Sequence, residues 1–243
     1  MQILESSSLG LRSDRLSLGS PSSPVRVTLF PMVHVGEPAF YRRVYEDALS
    51  HDVVLFEGVK SPITRRVTRS YRWIEGSRKL ALVVQPKLPL VSEGARIIHA
   101  DLSREEFETL WRTIPLWLRL LTFVVPPIIG LRHRWGSRQT LAKGMSKDDL
   151  PSREEIIDWN PETSPLTQVV LHARDDRLIE RLGEQLDHPA PGVETLAVVY
   201  GAAHMRRVLR ELTTRRGYFT DRTEWMTIFP LERPVRSGRA GSS

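Results

Sequence analysis

The chain has no cysteine among its 243 residues. This absence excludes disulfide bonds, thiolate nucleophiles and zinc sites built from cysteine. The first 23 residues also lack the long apolar run that a secretory signal requires. No internal repeat and no nucleic-acid-binding motif is found. We therefore expect a protein that is cytoplasmic or peripheral to a membrane, without a signal peptide and without a nucleic-acid partner.

The charged residues are unbalanced, with 35 Lys and Arg against 29 Asp and Glu. A net charge of +6 could attract anionic lipid or nucleic acid. The basic residues are spread along the chain, so a bias toward Arg codons also explains the excess. A hydrophobic content of 40% over this length is sufficient for one globular domain with a full core.

The domain organisation is predicted from local composition. Residues 1–23 are rich in Ser and Leu and are interpreted as a disordered arm. Residues 24–233 are expected to form a single domain that contains a helical or loop insertion at 114–150. Residues 234–243 are expected to be a flexible tail.

Several short apolar runs are each followed by a helical pattern, which favours an α/β fold. Predicted strands lie near 25–29, 53–56, 80–84, 95–100, 196–200 and 224–229. A capping box at Ser103 to Glu106 predicts the start of one helix. The pattern therefore predicts a mixed, mostly parallel sheet flanked by helices.

Three of these predicted strands end in residues that can bind a metal. His34 and His204 follow two of them, and Glu57 follows the third. The carboxyl ends of strands in an open α/β sheet share one edge, so these three side chains can meet. Two imidazoles and a carboxylate suit a divalent zinc, manganese, cobalt or iron ion, and they can also perform acid–base chemistry. The alternative is that each is a hydrogen-bonded polar residue at a strand end.

Two further residues lie at the same predicted edge. Asp101 follows the strand near 95–100 and is either a site carboxylate or a turn residue before the capping box. Gly201 allows close backbone approach before His204 and is a candidate substrate contact. The remaining histidines are interpreted as structural or exposed: His51, His99, His133, His172 and His188.

Residues 114–131 form the most apolar stretch of the chain. Arg119 and the pair Pro126-Pro127 interrupt it, so we expect two short helical pieces rather than one rod. These pieces could form a buried hairpin or a lid over the site. With its flanking residues, segment 114–135 could instead span a membrane or contact a membrane surface or partner. Residues 138–149 are interpreted as a loop, and Ser152 as the cap of a short helix.

The order of these motifs resembles the TraB/GumN family, which includes the plasmid pheromone-shutdown proteins and the Tiki metalloproteases. The resemblance covers about residues 25–230 and is weakest in the middle of the chain. It implies a fold related to erythromycin esterases and haem-binding ChaN-like proteins, and a metal-dependent peptidase activity known for some relatives. The matching segments are 33–36, 53–57, 94–101, 173–175 and 199–204.

The resemblance implies a metal-dependent hydrolase of a peptide or small-molecule substrate, most simply a peptidase or amidase. His34, Glu57 and His204 would hold a divalent ion that activates water. Asp101 or Asp175 would then take the proton of the water, and Arg174 would stabilise the oxyanion and contact substrate. Alternatively, Arg174 and Asp175 are a solvated pair on a helix, and the protein sequesters a peptide or haem-like ligand without turnover.

Two positions depart from the family pattern. Relatives carry Gly-x-x-His at both histidines, whereas Pro31 stands at the first glycine position here. Because the proline ring fixes φ at about −65°, we expect a turn before His34 without positive φ. Many relatives have Arg after the aspartate of the middle strand, and this chain has Leu102. This difference predicts another substrate or reduced activity.

Overall fold

A computed structural model describes residues 2–68, 71, 77, 79–89, 94–147 and 165–232. It confirms an α/β fold with a mixed, mostly parallel sheet flanked by helices. The main sheet has seven strands in the order β1-β2-β3-β8-β5-β7, with β9 paired to β2. Strands β4 and β6 pair separately. The strands are β1 (Leu4–Ser7), β2 (Gly10–Ser20), β3 (Ser23–Met32), β4 (Val35–Gly36), β5 (Val53–Phe56), β6 (Val83–Val84), β7 (Arg96–His99), β8 (Thr195–Gly201) and β9 (Phe219–Phe229).

The parallel half of the sheet is formed by β3, β8, β5 and β7. Strand β8 lies between β3 and β5, and Val199 on β8 is level with both Phe30 and Phe56. Residues 196–200 of β8 are all buried, as expected for a strand covered on both faces. Because these strands run in one direction, their carboxyl ends meet at a single edge of the sheet.

Seven helices of seven or more residues surround this sheet in the described part of the chain, besides a single helical turn at Pro165–Thr167. The first begins at Pro38 and buries the apolar face that its periodicity predicts. At the third, Ser103 accepts a hydrogen bond from the Glu106 amide and Glu106 accepts one from the Ser103 amide, which confirms the capping box. The helices are α1 (Pro38–Ala48), α2 (Pro62–Thr68), α3 (Arg104–Thr113), α4 (Leu116–Trp135), α5 (Arg138–Lys147), α6 (Ala173–Asp187) and α7 (Ala202–Arg210). Helix α6 follows a π-helical turn at Gln168–His172, and another at Glu211–Arg215 follows α7.

The expectation of a disordered N-terminal arm is wrong for the described residues. Strands β1 and β2 occupy most of residues 2–20, and β2 pairs with β1, β3 and β9. Leu11, Leu16 and Leu18 of β2 are fully buried in the main core. The intervening Ser and Arg residues hide this pattern in the sequence, although Leu16 and Leu18 do alternate as strand residues should.

We expect Leu16→Ala to lower the free energy of unfolding by about 2–5 kcal/mol, because it removes buried side-chain volume from β2. Leu9→Ala is the matched control, since Leu9 is 64% exposed in the neighbouring turn. Urea denaturation of both variants measures the difference. Equal, small effects would mean that the N-terminal strands contribute little to the fold.

The expectation of two short helical pieces at 114–131 is also wrong. Helix α4 continues through Pro126-Pro127 as one element, so the loss of two amide donors does not end it. No described helix combines the length and apolarity needed to cross a membrane.

Residues 138–147 form helix α5, which corrects the interpretation of 138–149 as a loop. Buried Arg138 holds this helix on the protein, because it donates hydrogen bonds to Leu80 O at 2.9 Å and to Glu37 Oε1 at 2.8 Å. Leu141 and Ala142 of the same helix enter the main core. The predicted helix at Ser152 and the predicted tail at 234–243 lie outside the described residues.

Candidate functional site

The carboxyl ends of the parallel strands place the predicted site residues at one edge of the sheet. His34 lies two residues beyond β3, Glu57 directly follows β5, and Asp101 lies two residues beyond β7. His204 lies in the first turn of α7, immediately after β8. The backbone before His34 has no positive φ at Met32 or Val33, which confirms the expectation from Pro31.

Arg174, in the first turn of α6, joins two of these carboxylates. Its Nη2 donates to Glu57 Oε1 at 2.5 Å and to Asp101 Oδ2 at 2.7 Å. Its Nε donates to Asp101 Oδ1 at 3.0 Å. The side chains of Arg174 and Glu57 are only 13% and 14% exposed, and that of Asp101 is fully buried. The interpretation of Arg174 as a solvated surface residue is therefore wrong.

Backbone amides complete the hydrogen bonding of both carboxylates. The Gly201 amide donates to Glu57 Oε2 at 2.5 Å. The amides of Gly58 and Leu102 donate to the two oxygens of Asp101 at 3.0 and 2.8 Å. A Cβ at position 201 would lie 3.1 Å from Glu57 Oε2, so the missing side chain permits this close approach. Each oxygen of Glu57 and Asp101 thus accepts a hydrogen bond.

The pKa values of both carboxyl groups are lowered in this environment. Burial alone would raise the pKa of Glu57, but Arg174, and then His204 and His34, lower it. Burial opposes ionisation of Asp101 as well, and its hydrogen bonds with Arg174 and two amides lower its pKa. The same carboxylates outweigh burial at Arg174 and raise its pKa. The cluster is therefore ionised at neutral pH.

These shifts predict acid-dependent stability. A lowered folded-state pKa contributes stability above the unfolded pKa, which is about 4 for Asp and Glu, and that stability is lost as the pH falls further. We expect the urea midpoint to fall between pH 5 and pH 3, and to fall less steeply in Glu57→Gln. Urea titrations at four pH values test this. Parallel pH profiles for wild type and variant would contradict the role of Glu57.

A histidine–carboxylate pair lies beside this cluster. His204 Nδ1 and Asp175 Oδ1 are 2.7 Å apart, and both side chains are about 5% exposed. With the carboxylate as acceptor, we assign a proton to Nδ1, which leaves Nε2 as the nitrogen that can act as a base. Among the described residues, none forms a hydrogen bond with that Nε2. Asp175 is therefore not a solvated residue.

His34 belongs to the same cluster but lies at its open side. Its side chain is exposed to solvent, yet the protein around it lowers its pKa through desolvation, to which Arg174 and His204 add. The charge of Glu57 and a side-chain hydrogen bond that His34 donates to Gln85 partly oppose this shift. The ring of Tyr71 lies 5.2 Å away. His34 is therefore neutral at pH 7.

Tyr200 is a site residue that the sequence does not reveal. Its ring lies 5.6 Å below the Arg174 guanidinium carbon and packs edge-on against His204, with centroids 4.8 Å apart. Burial raises the pKa of its hydroxyl far above the usual value. An aromatic residue in an apolar strand is indistinguishable from a core residue in the sequence, so only the packing identifies it.

Two histidines outside the cluster have structural partners. His51 lies between Thr28 Oγ1 at 2.9 Å and Asp47 O at 3.0 Å. His99 Nε2 lies 2.8 Å from Gly58 O. These contacts fit the structural role expected for both residues.

Among the described residues, no group of three or more His, Asp or Glu has an arrangement that would hold a metal ion. The structure brings His34, Glu57 and His204 to one cluster, but Arg174 and the Gly201 amide already contact the two oxygens of Glu57. The divalent-metal site predicted at His34, Glu57 and His204 therefore stays a prediction.

The chain matches no protein-family model, and no curated protein or solved structure is significantly similar to it. The TraB/GumN assignment thus rests on motif order alone and also stays a prediction.

Proposed function

We propose that the protein is a hydrolase that attacks a carboxylic amide or ester with a water molecule activated by His204. The observation that carries this proposal is the buried His204–Asp175 pair, whose Nδ1–Oδ1 distance is 2.7 Å. This contact fixes the tautomer and orientation of the imidazole, as a catalytic base requires. The base also lies at the sheet edge where α/β proteins bind ligands.

The proposed reaction needs only protein groups and water. His204 Nε2 takes a proton from the water as its oxygen bonds to the carbonyl carbon. The resulting imidazolium is stabilised by Asp175 and returns the proton to the leaving nitrogen or oxygen as the old bond breaks. Neutral His34 is available on the open side to hydrogen-bond the substrate.

Arg174 supplies the positive charge for the transition state. Its Nε and Nη2 are committed to Asp101 and Glu57, whereas the only hydrogen bond of its Nη1 to a described residue is to Val170 O at 3.4 Å. We assign to Nη1 the stabilisation of the developing oxyanion, because a fixed guanidinium needs no reorganisation during the reaction. Glu57 and Asp101 hold this guanidinium in place.

A metal held by His34, Glu57 and His204 fits this arrangement poorly. The guanidinium nitrogen 2.5 Å from Glu57 Oε1 would repel a cation at that oxygen, and Oε2 accepts from the Gly201 amide. Without Glu57, only the two histidines of the predicted set remain, whereas catalytic zinc sites use three protein ligands. The geometry thus favours His204 as a base over the metal mechanism implied by the family resemblance.

The test is a hydrolysis assay of the full-length protein against chromogenic esters and a fluorogenic peptide library, with and without EDTA. We expect turnover that EDTA changes by less than about twofold. Elemental analysis of the same preparation should find no stoichiometric transition metal.

Loss of turnover in EDTA, restored by zinc, manganese, cobalt or iron, would instead establish the metal-dependent hydrolase. Tight binding of a peptide or haem-like ligand without turnover would establish a sequestering protein. Either result would overturn the proposed role of His204.

A further inference from the structure

Helix α4 presents an apolar face to solvent. Trp117 is 62% exposed, and Ile128 is equally exposed three turns later. The positions recur with helical spacing, so they lie along one side of the helix. We name this surface the α4 apolar face, and its members are Leu116, Trp117, Leu120, Leu121, Val124 and Ile128.

The opposite side of α4 is docked on the protein. Leu118 and Phe123 pack against a small core cluster that includes Trp111 and Ile114. Helix α2 also packs against α4, and the Arg66 guanidinium carbon lies 5.5 Å from the Phe123 ring centroid. The helix therefore has a separate buried face, and the exposed apolar side chains are not needed for its docking.

The segment that carries the face is rich in basic residues. Residues 109–147 contain seven Lys or Arg and no Asp or Glu, although one of the seven, Arg138, is buried in an ion pair with Glu37. Arg65 and Arg66 on the adjacent α2 are also exposed. An apolar helix face with an aromatic residue and exposed basic side chains near it has the chemistry of a helix that lies in the interface of an anionic bilayer.

We infer that the protein binds the surface of anionic membranes through the α4 apolar face. Trp117 and the aliphatic side chains enter the headgroup region, and the exposed side chains of Arg65, Arg66 and Arg112 meet the lipid phosphates. Charge argues against a second copy as the occupant, because a symmetric dimer through this face would bring two such cationic segments together. This inference does not depend on the proposed hydrolase activity.

The experiment is co-sedimentation of the full-length protein with vesicles of phosphatidylglycerol and phosphatidylcholine, or of phosphatidylcholine alone. The test variant carries Trp117→Ser, Leu120→Ser and Val124→Ser. The matched control carries Leu9→Ser and Phe219→Ser, which remove exposed apolar side chains elsewhere. We expect wild type and control to sediment with anionic vesicles, and the partition coefficient of the triple variant to fall at least about tenfold.

The lipid and salt dependence test the electrostatic half of the inference. Binding should weaken on vesicles of phosphatidylcholine alone and at high salt. The basic side chains near the α4 apolar face then lose their electrostatic attraction to anionic lipid. Equal sedimentation of wild type and triple variant would overturn the inference. The inference would also be overturned if the wild type were a dimer that does not bind vesicles and the triple variant were a monomer. The α4 apolar face would then be an interface between two copies of the chain.

Discussion

Arg174→Met should lower the free energy of unfolding at pH 7 by about 3–5 kcal/mol, because it leaves two buried carboxylates without their cation. Arg174 is the only described side chain with ion pairs to both Glu57 and Asp101. Without the guanidinium, burial would raise the pKa of both carboxyl groups, so the deficit should shrink as the pH approaches about 4. Urea denaturation at both pH values measures the effect.

Arg181→Met is the matched control for this variant. Arg181 is on the same helix α6, but its ion pair with Glu184 is partly exposed to solvent, so we expect a loss below about 1 kcal/mol. Similar losses for the two variants would show that the Arg174 cluster is not a special source of stability.

His204→Gln should lower kcat/KM for the substrate found in the hydrolysis screen by about 10²–10⁴-fold, as expected for removal of a general base. Glutamine can still donate to Asp175, so the fold should be retained. The loss should be in kcat more than in KM, because Nε2 acts on the water rather than on substrate binding. Initial-rate kinetics with a circular dichroism check of folding provide the measurement.

His188→Gln makes the same substitution at an exposed histidine after α6 and should leave kcat/KM unchanged. Asp175→Asn should reduce kcat while preserving the fold, since an amide no longer fixes the Nδ1–H tautomer. Full activity in His204→Gln would falsify the proposed mechanism and direct attention to His34.

The strands that carry the site were predictable because each is a short apolar run with a polar residue at its end. The predicted strand at 53–56 matches β5 (Val53–Phe56), and Ser103 with Glu106 predicts the observed cap of α3. These elements depend on neighbouring residues only, so local pattern is sufficient to identify them.

Other elements depend on partners that are distant in sequence. The N-terminal strands have polar sequences and are ordered through pairing with β3 and β9. Helix α5 is held by the contacts of Arg138 with Leu80 and Glu37. Local composition therefore predicts a loop or disorder where the tertiary contacts supply the order.

The sequence by itself determined that polar residues would gather at one edge of a parallel sheet, because strand direction and strand ends are encoded locally. It also placed His34, Glu57, Asp101 and His204 at that edge. Only the tertiary structure decided how they are connected. Arg174 comes from a helix 73 residues beyond Asp101, and whether its guanidinium or a metal neutralises Glu57 depends on where that helix packs. A charged side chain on a helix has no preferred partner until folding removes water from around it.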